Sequence, residues 1–192
     1  MRPGLLAVAV LASIAGARVP AAFDLHGATR AGNRAEPYAV VWLDAPQGIT
    51  QAPVSKVVLD QRNLDFFPRI LAVRVGTVVE FPNNDRVFHN VFSFHDGKRF
   101  DLGLYPVGTM KRVTFDHPGL SRIFCNIHPN MAAHVMSLDT PYFTVSDADG
   151  RFAMAAVPPG TYTYHAWRPG RADLTGSVVV GPGASSLEIR WR

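Results

Sequence analysis

The sequence predicts an all-β protein built from sandwiches, and three observations carry that prediction. Short runs rich in Val, Phe, Tyr and Ile recur along the chain. Clusters of Pro, Gly, Asn and Asp separate them at 82–85, 147–150, 158–160 and 181–183. Beyond the first residues, no stretch repeats its apolar positions at helical spacing. The 192 residues, 47% of them hydrophobic, provide for a packed core and leave room for one ordinary domain or two small ones.

The chain opens with an address. Met1-Arg2 is a positive start, Leu5 to Ile14 is an apolar run too short to span a bilayer, and Ala15-Gly16-Ala17 places small residues where a signal peptidase reads. Residues 1–22 therefore read as a secretory signal peptide, cut after Ala17 or a few residues later. A buried N-terminal helix would not need charge, apolar run and small residues in that order. No later run is long and apolar enough for a membrane helix. The mature chain is expected to be periplasmic or secreted, with no membrane span.

Strands are expected at 38–43, 54–60, 71–75, 77–81 and 111–115, then at 121–125, 133–138, 142–145, 161–167, 177–180 and 187–191. The Pro- and Gly-containing stretch 45–53 reads as a linker, and a second junction falls near Asp139-Thr140-Pro141. Two units are expected on this basis: 54–138 as one compact sandwich, and 23–46 with 139–192 as a second, discontinuous one. A sequential arrangement, with 23–46 adding a strand to the first unit, is the alternative. The Asp147-Ala148-Asp149-Gly150 segment reads as a turn, because the further oxygen ligands of a calcium loop do not follow.

Composition excludes several functions. The net charge of +4 is modest, and basic pairs such as Lys98-Arg99 and Lys111-Arg112 are scattered, which argues against nucleic acid as a partner. One cysteine, Cys125, cannot form an intrachain disulfide. A lone thiol in an oxidising compartment calls for a purpose. No nucleophile elbow, phosphate loop or zinc-protease motif occurs, and the three Glu suggest no acid–base pair, so the chain does not read as an enzyme.

The purpose of the thiol is read from Cys125-Asn126-Ile127-His128-Pro129-Asn130-Met131. A thiol, an imidazole and a thioether lie at i, i+3 and i+6, just after a strand, with Pro129 and two Asn favouring a tight turn. Thiolate and thioether are soft donors that suit Cu(I), and imidazole suits both copper oxidation states. A trigonal Cys–His–His set with a long Met bond is an electron-transfer copper geometry, and it needs a second His. His89 is preferred and His95 is the rival. On an extended strand the two stand roughly 20 Å apart, so they cannot share one ion. His89 is favoured because Asn90 beside it can fix the ligand loop. Zinc is the competing metal, disfavoured by the thioether. His134 lies past the loop and reads as a surface or inter-domain residue. His26, His117 and His165 read as structural.

On these residues the segment 54–138 resembles the cupredoxins, the blue-copper family of plastocyanin, pseudoazurin and amicyanin. The loop is similar to the short one of amicyanin, including the proline after the histidine. Residues 67–85 resemble the strand pair before the first His ligand, and 108–119 the strand leading to the Cys. The resemblance implies a Greek-key sandwich with His89, Cys125, His128 and Met131 as ligands of one copper ion. The long Phe-rich stretch from Phe92 to Tyr105 departs from small cupredoxins. Residues 27–43, 145–152 and 157–162 resemble the hairpins of carboxypeptidase-regulatory-like, transthyretin-type sandwiches. The whole is similar to exported bacterial plastocyanin-like proteins of the methylamine-utilisation type. That likeness implies a one-electron carrier acting with a redox partner protein through His128, with Pro129, Ala132 and Ala133 as an apolar docking rim. The alternatives are a copper delivery or storage protein, and a binding module in which copper is structural.

Overall fold

The structure is a computed structural model that describes residues 22–45, 56–94, 96–183 and 185–192. Every regular element among them is a strand, as the sequence predicts, and none is a helix. Residues 1–21 of the expected signal peptide, most of the linker and His95 lie outside the described residues.

Two sheets enclose one core. The first runs Phe100–Tyr105, His89–Ser93, Gly119–Phe124, Ala132–Leu138 and Ile70–Arg74. Its last pair is parallel. The second runs Met110–Phe115, Thr77–Pro82 and Val57–Val58. Thr77–Pro82 alternates strictly between buried and half-buried positions, so Val79 and Phe81 point inward. They meet Val91, Ile123, Val135, Val113 and Phe115 in one apolar cluster between the sheets. A hairpin of Asp60–Arg62 and Asp65–Phe67 contributes Phe66 to the same cluster.

Two further sheets enclose a second core. Phe23–Ala31 pairs antiparallel with Arg151–Val157 and parallel with Ser185–Trp191. Val40–Leu43 lies between Phe143–Val145 and Gly160–Trp167, which pairs in turn with Leu174–Val180. Leu25, Phe152, Met154, Leu187 and Ile189 from one sheet pack on Val41, Leu43, Tyr162 and Val178 from the other. Strands before residue 44 thus share sheets with strands after residue 142. Gly27 shows why the central strand needs a glycine. A Cβ there would stand 2.2 Å from the Phe152 ring and 2.3 Å from the Leu187 carbonyl oxygen.

Two runs are apolar on both faces because each serves two cores. In Val40–Leu43, Val41 and Leu43 point into their own sandwich while Val40 and Trp42 point out of it. In Ala132–Leu138, Val135 faces the first core while Met136 and Leu138 face outward. Val40, Met136, Leu138 and Trp167 form a third cluster, with Trp42, Ile70 and Phe143 packed against it. This apolar seam joins the two sandwiches. The Asp147–Gly150 segment is a turn: Asp147 Oδ1 accepts from the amides of Asp149 and Arg151 at 2.9 and 2.8 Å.

Candidate metal centre

His89 is placed by a loop that side chains hold together from within. Asn83 is fully buried; its Nδ2 donates to the carbonyls of Val87 (2.9 Å) and Tyr105 (3.2 Å). The Asp85 amide donates to Asn83 Oδ1 at 3.1 Å, and the Asn84 amide to the Gln61 carbonyl at 3.0 Å. The turn therefore delivers His89, fully buried, as the first residue of its strand.

Cys125 follows the last residue of Gly119–Phe124, and a short loop returns the chain to Ala132–Leu138. The Met131 amide donates to the His128 carbonyl at 2.9 Å, and the Cys125 amide to the Met131 carbonyl at 3.3 Å. These bonds close the loop and keep its two ends together. Cys125 is buried, His128 half-buried and Met131 fully buried in the same cluster as Cys125.

Three donor atoms converge between these two segments. Cys125 Sγ lies 3.6 Å from His128 Nδ1 and 3.9 Å from His89 Nδ1, and the two Nδ1 atoms are 3.1 Å apart. Bonds of about 2.0 Å to nitrogen and about 2.3 Å to sulfur, arranged trigonally, put nitrogens about 3.5 Å apart and nitrogen and sulfur about 3.7 Å apart. The observed triangle fits one ion within a few tenths of an ångström. His89, Cys125 and His128 are the only such group of metal-binding side chains among the described residues.

Asp85, which the sequence reading passes over, completes the arrangement. His89 Nε2 lies 3.0 Å from Asp85 Oδ2. The carboxylate accepts from the amides of Leu64 (2.6 Å) and Arg86 (2.8 Å). Burial works against the anion, but those amides and the His89 ring outweigh it and hold Asp85 below the ordinary carboxylate pKa. An ionised carboxylate at Nε2 favours the proton on that nitrogen, which leaves the Nδ1 lone pair free towards the Cys125 sulfur. Asn90 is expected from the sequence to fix the ligand loop; no hydrogen bond from its side chain to that loop is seen among the described residues. Its Nδ2 donates instead to Asp101 Oδ1 at 2.7 Å, bracing the neighbouring strand.

The expected docking rim is also revised. Ala133 is buried, since it alternates inward with Val135. The large apolar side chains exposed beside the ligands are Val87 and Phe88, next to His89, and Ile127, next to His128. Three further histidines lie elsewhere. His134 packs by the Trp167 ring at 5.3 Å, His165 stacks on Trp42 at 5.0 Å, and His117 pairs with Asp116 at 2.7 Å.

A family model described as polysaccharide lyase family 4, domain II matches residues 130–186. It falls largely on the second sandwich, where the sequence suggests a carboxypeptidase-regulatory-like module. No curated protein matches the chain. Among solved structures the chain is similar to a purple cupredoxin from Nitrosopumilus maritimus, with 25% identity and a TM-score of 0.39, over 44% of this chain and 100% of that one. It is similar to a copper-containing nitrite reductase from Thermus scotoductus, with 25% identity and a TM-score of 0.43, over 51% of this chain and 25% of the reductase. It is also similar to amicyanin from Paracoccus versutus, with 22% identity and a TM-score of 0.40, over 45% of this chain and 92% of that one.

Proposed function

We propose that this chain is an exported type 1 copper protein that carries single electrons between redox partners. The observation that carries the reading is the convergence of Cys125 Sγ, His89 Nδ1 and His128 Nδ1 inside a triangle of 3.1, 3.6 and 3.9 Å. One sulfur and two imidazoles in a trigonal set, with a thioether nearby, suit copper better than zinc. Met131 is the fourth donor in this reading, supported by its burial in the cluster that holds Cys125.

Copper bound here would supply a one-electron couple. The protein supplies everything that makes the couple fast. Asp85 fixes the His89 ring, and the closed loop from Cys125 to Met131 holds its donors in place whether or not charge changes, so little has to move. His128, half-buried at the loop, is the edge through which an electron passes, and Phe88 and Ile127 give a partner an apolar surface to rest on. With Met131 as the fourth donor, the ligand set is filled by protein side chains and leaves no open position for a substrate, which favours a carrier over an enzyme.

The same reading takes 54–138 as the copper domain and 23–46 with 139–192 as a carboxypeptidase-regulatory-like sandwich into which it is inserted. The pairing of Phe23–Ala31 with Ser185–Trp191 supports that division. Export through a leader at 1–22 accounts for a lone thiol kept for a metal. Copper reconstitution followed by visible absorption and electron paramagnetic resonance tests the proposal. An intense blue or purple colour that bleaches on reduction, with a narrow copper hyperfine splitting, is expected. A colourless copper adduct would overturn it.

A further inference from the structure

A second concave site lies beside the seam between the two sandwiches. It is a cleft of about 590 Å³ whose walls include Tyr38, Phe67, Ile70 and Pro169, with Arg69, His134 and Arg168 among them. That volume and that mixture of apolar walls with a few polar groups are those of a small-molecule site.

The charged groups are unevenly satisfied. Arg69 donates from Nε and Nη2 to Asp65 at 2.8 and 2.5 Å. Glu36 is shared by Arg168, through Nη1, and by Arg171 at 2.9 Å. Two guanidiniums on one carboxylate leave a positive charge over. Arg168 Nε is buried and has no hydrogen-bond partner among the described residues. That nitrogen is out of reach of a ligand, but 22% of the Arg168 side chain stays exposed in the lining of the cleft, where its surplus charge can meet an anion. Arg122, the strand partner of His134, adds to the positive surroundings. Tyr38, at one wall, holds a left-handed backbone with φ of 57° and is half exposed. A bulky residue rarely adopts that conformation, and such strain concentrates at ligand clamps.

We propose that this cleft binds a small aromatic carboxylate, its ring between Tyr38 and Phe67 and its carboxylate on Arg168. The site is independent of the metal, although Ala132 in its lining adjoins Met131.

Naphthoate and its neutral analogue naphthylmethanol, titrated into the full chain by two-dimensional amide NMR, test the proposal. Naphthoate should shift the amides of the lining residues saturably and bind at least about tenfold tighter than the alcohol, the value of a hydrogen bond to a charged group. Arg168→Met should reduce naphthoate to the level of the alcohol and leave the alcohol unchanged; Glu36 keeps Arg171 in that variant. Equal binding of acid and alcohol, or shifts elsewhere than the cleft, overturns the proposal. The acid–alcohol comparison on the unaltered protein decides the matter even if the variant does not fold.

Discussion

The two sandwiches bury polar groups for different ends. In the second, Thr29 Oγ1 donates to the Glu36 carbonyl, and the Ala39 amide donates to Ser146 Oγ at 2.9 Å. These contacts tie Phe23–Ala31 and the segments flanking Val40–Leu43 and Phe143–Val145 together, beside the apolar cluster of that sandwich. In the first, His89, Asn83, Gln61 and Cys125 are buried. Tyr105 joins them: its hydroxyl accepts from Gln61 and donates to the Phe81 carbonyl at 3.1 Å. Burial, together with the nearby Cys125, pushes the Tyr105 phenol well above its ordinary pKa, against the Gln61 hydrogen bond, so it stays neutral. Burying imidazole and thiol costs stability unless something repays it. The comparison teaches that polar burial around Thr29 serves the scaffold, whereas polar burial around His89 serves a site.

The largest expected effect separates them outright. Cys125→Ser should abolish the visible absorption of the copper form and weaken copper binding by far more than the about 10–100-fold that an outer hydrogen-bond partner is worth. Metal titration followed by absorption checks this, and near-ultraviolet circular dichroism of the second sandwich's tryptophans should be unchanged. Retained colour would show that the sulfur is not a donor.

Core truncations come next and should fall unequally. Phe66→Ala removes a fully buried ring from the first core and should cost about 3–5 kcal/mol in denaturant unfolding. Because the metal binds only the folded state, saturating copper should recover part of that loss. Ile189→Ala in the second core should cost about 2–5 kcal/mol. If the two sandwiches unfold as separate units, copper recovers none of the Ile189→Ala loss. Full recovery there would mean that the apolar seam makes them one cooperative unit.

Asp85→Asn sharpens the comparison within the site. Loss of the anion at His89 Nε2 should lower copper affinity by about 10–100-fold and raise the reduction potential, since the carboxylate favours the more positive oxidation state. Competition with a chelator and voltammetry measure the two. Unchanged values would reduce Asp85 to a turn residue.

A pH effect should arise at the seam rather than at either core. Burial, and then the positive charge of Arg122, hold the His134 pKa below its ordinary value of 6.5. The unfolded chain therefore binds a proton there that the folded chain refuses. Stability is fully present above pH 6.5 and falls as pH drops through that value towards the lower folded pKa. His134→Gln should flatten that part of the urea-midpoint profile.

The smallest effect is at Pro129, which has no amide hydrogen to give the Cys125 sulfur. Pro129→Ala should shift the reduction potential measurably, because hydrogen bonding at that sulfur is one way such a site is tuned. An identical potential would remove Pro129 from the tuning.

Much of this is local and could be read from the chain. The Cys125-to-Met131 segment encodes its own closure, because a turn of seven residues depends on neighbours in sequence. The strand Phe23–Ala31 was harder to see. Its alternation is polar, and its glycine makes sense only against Phe152 and Leu187. Asp85 reaches the His89 ring only through the Asn83 turn, which no neighbour-by-neighbour reading of the sequence shows.

The sequence by itself determined the strand class, the donor types and the short loop that carries three of them, since period-two patterning and turn chemistry act over a few residues. Tertiary structure alone decided that His89 meets Cys125 across 36 steps of chain, that a carboxylate stands behind the imidazole, and that Val40 and Trp42 face the seam between the sandwiches. Such meetings depend on how sheets stack and register, which long-range packing sets and no local pattern records.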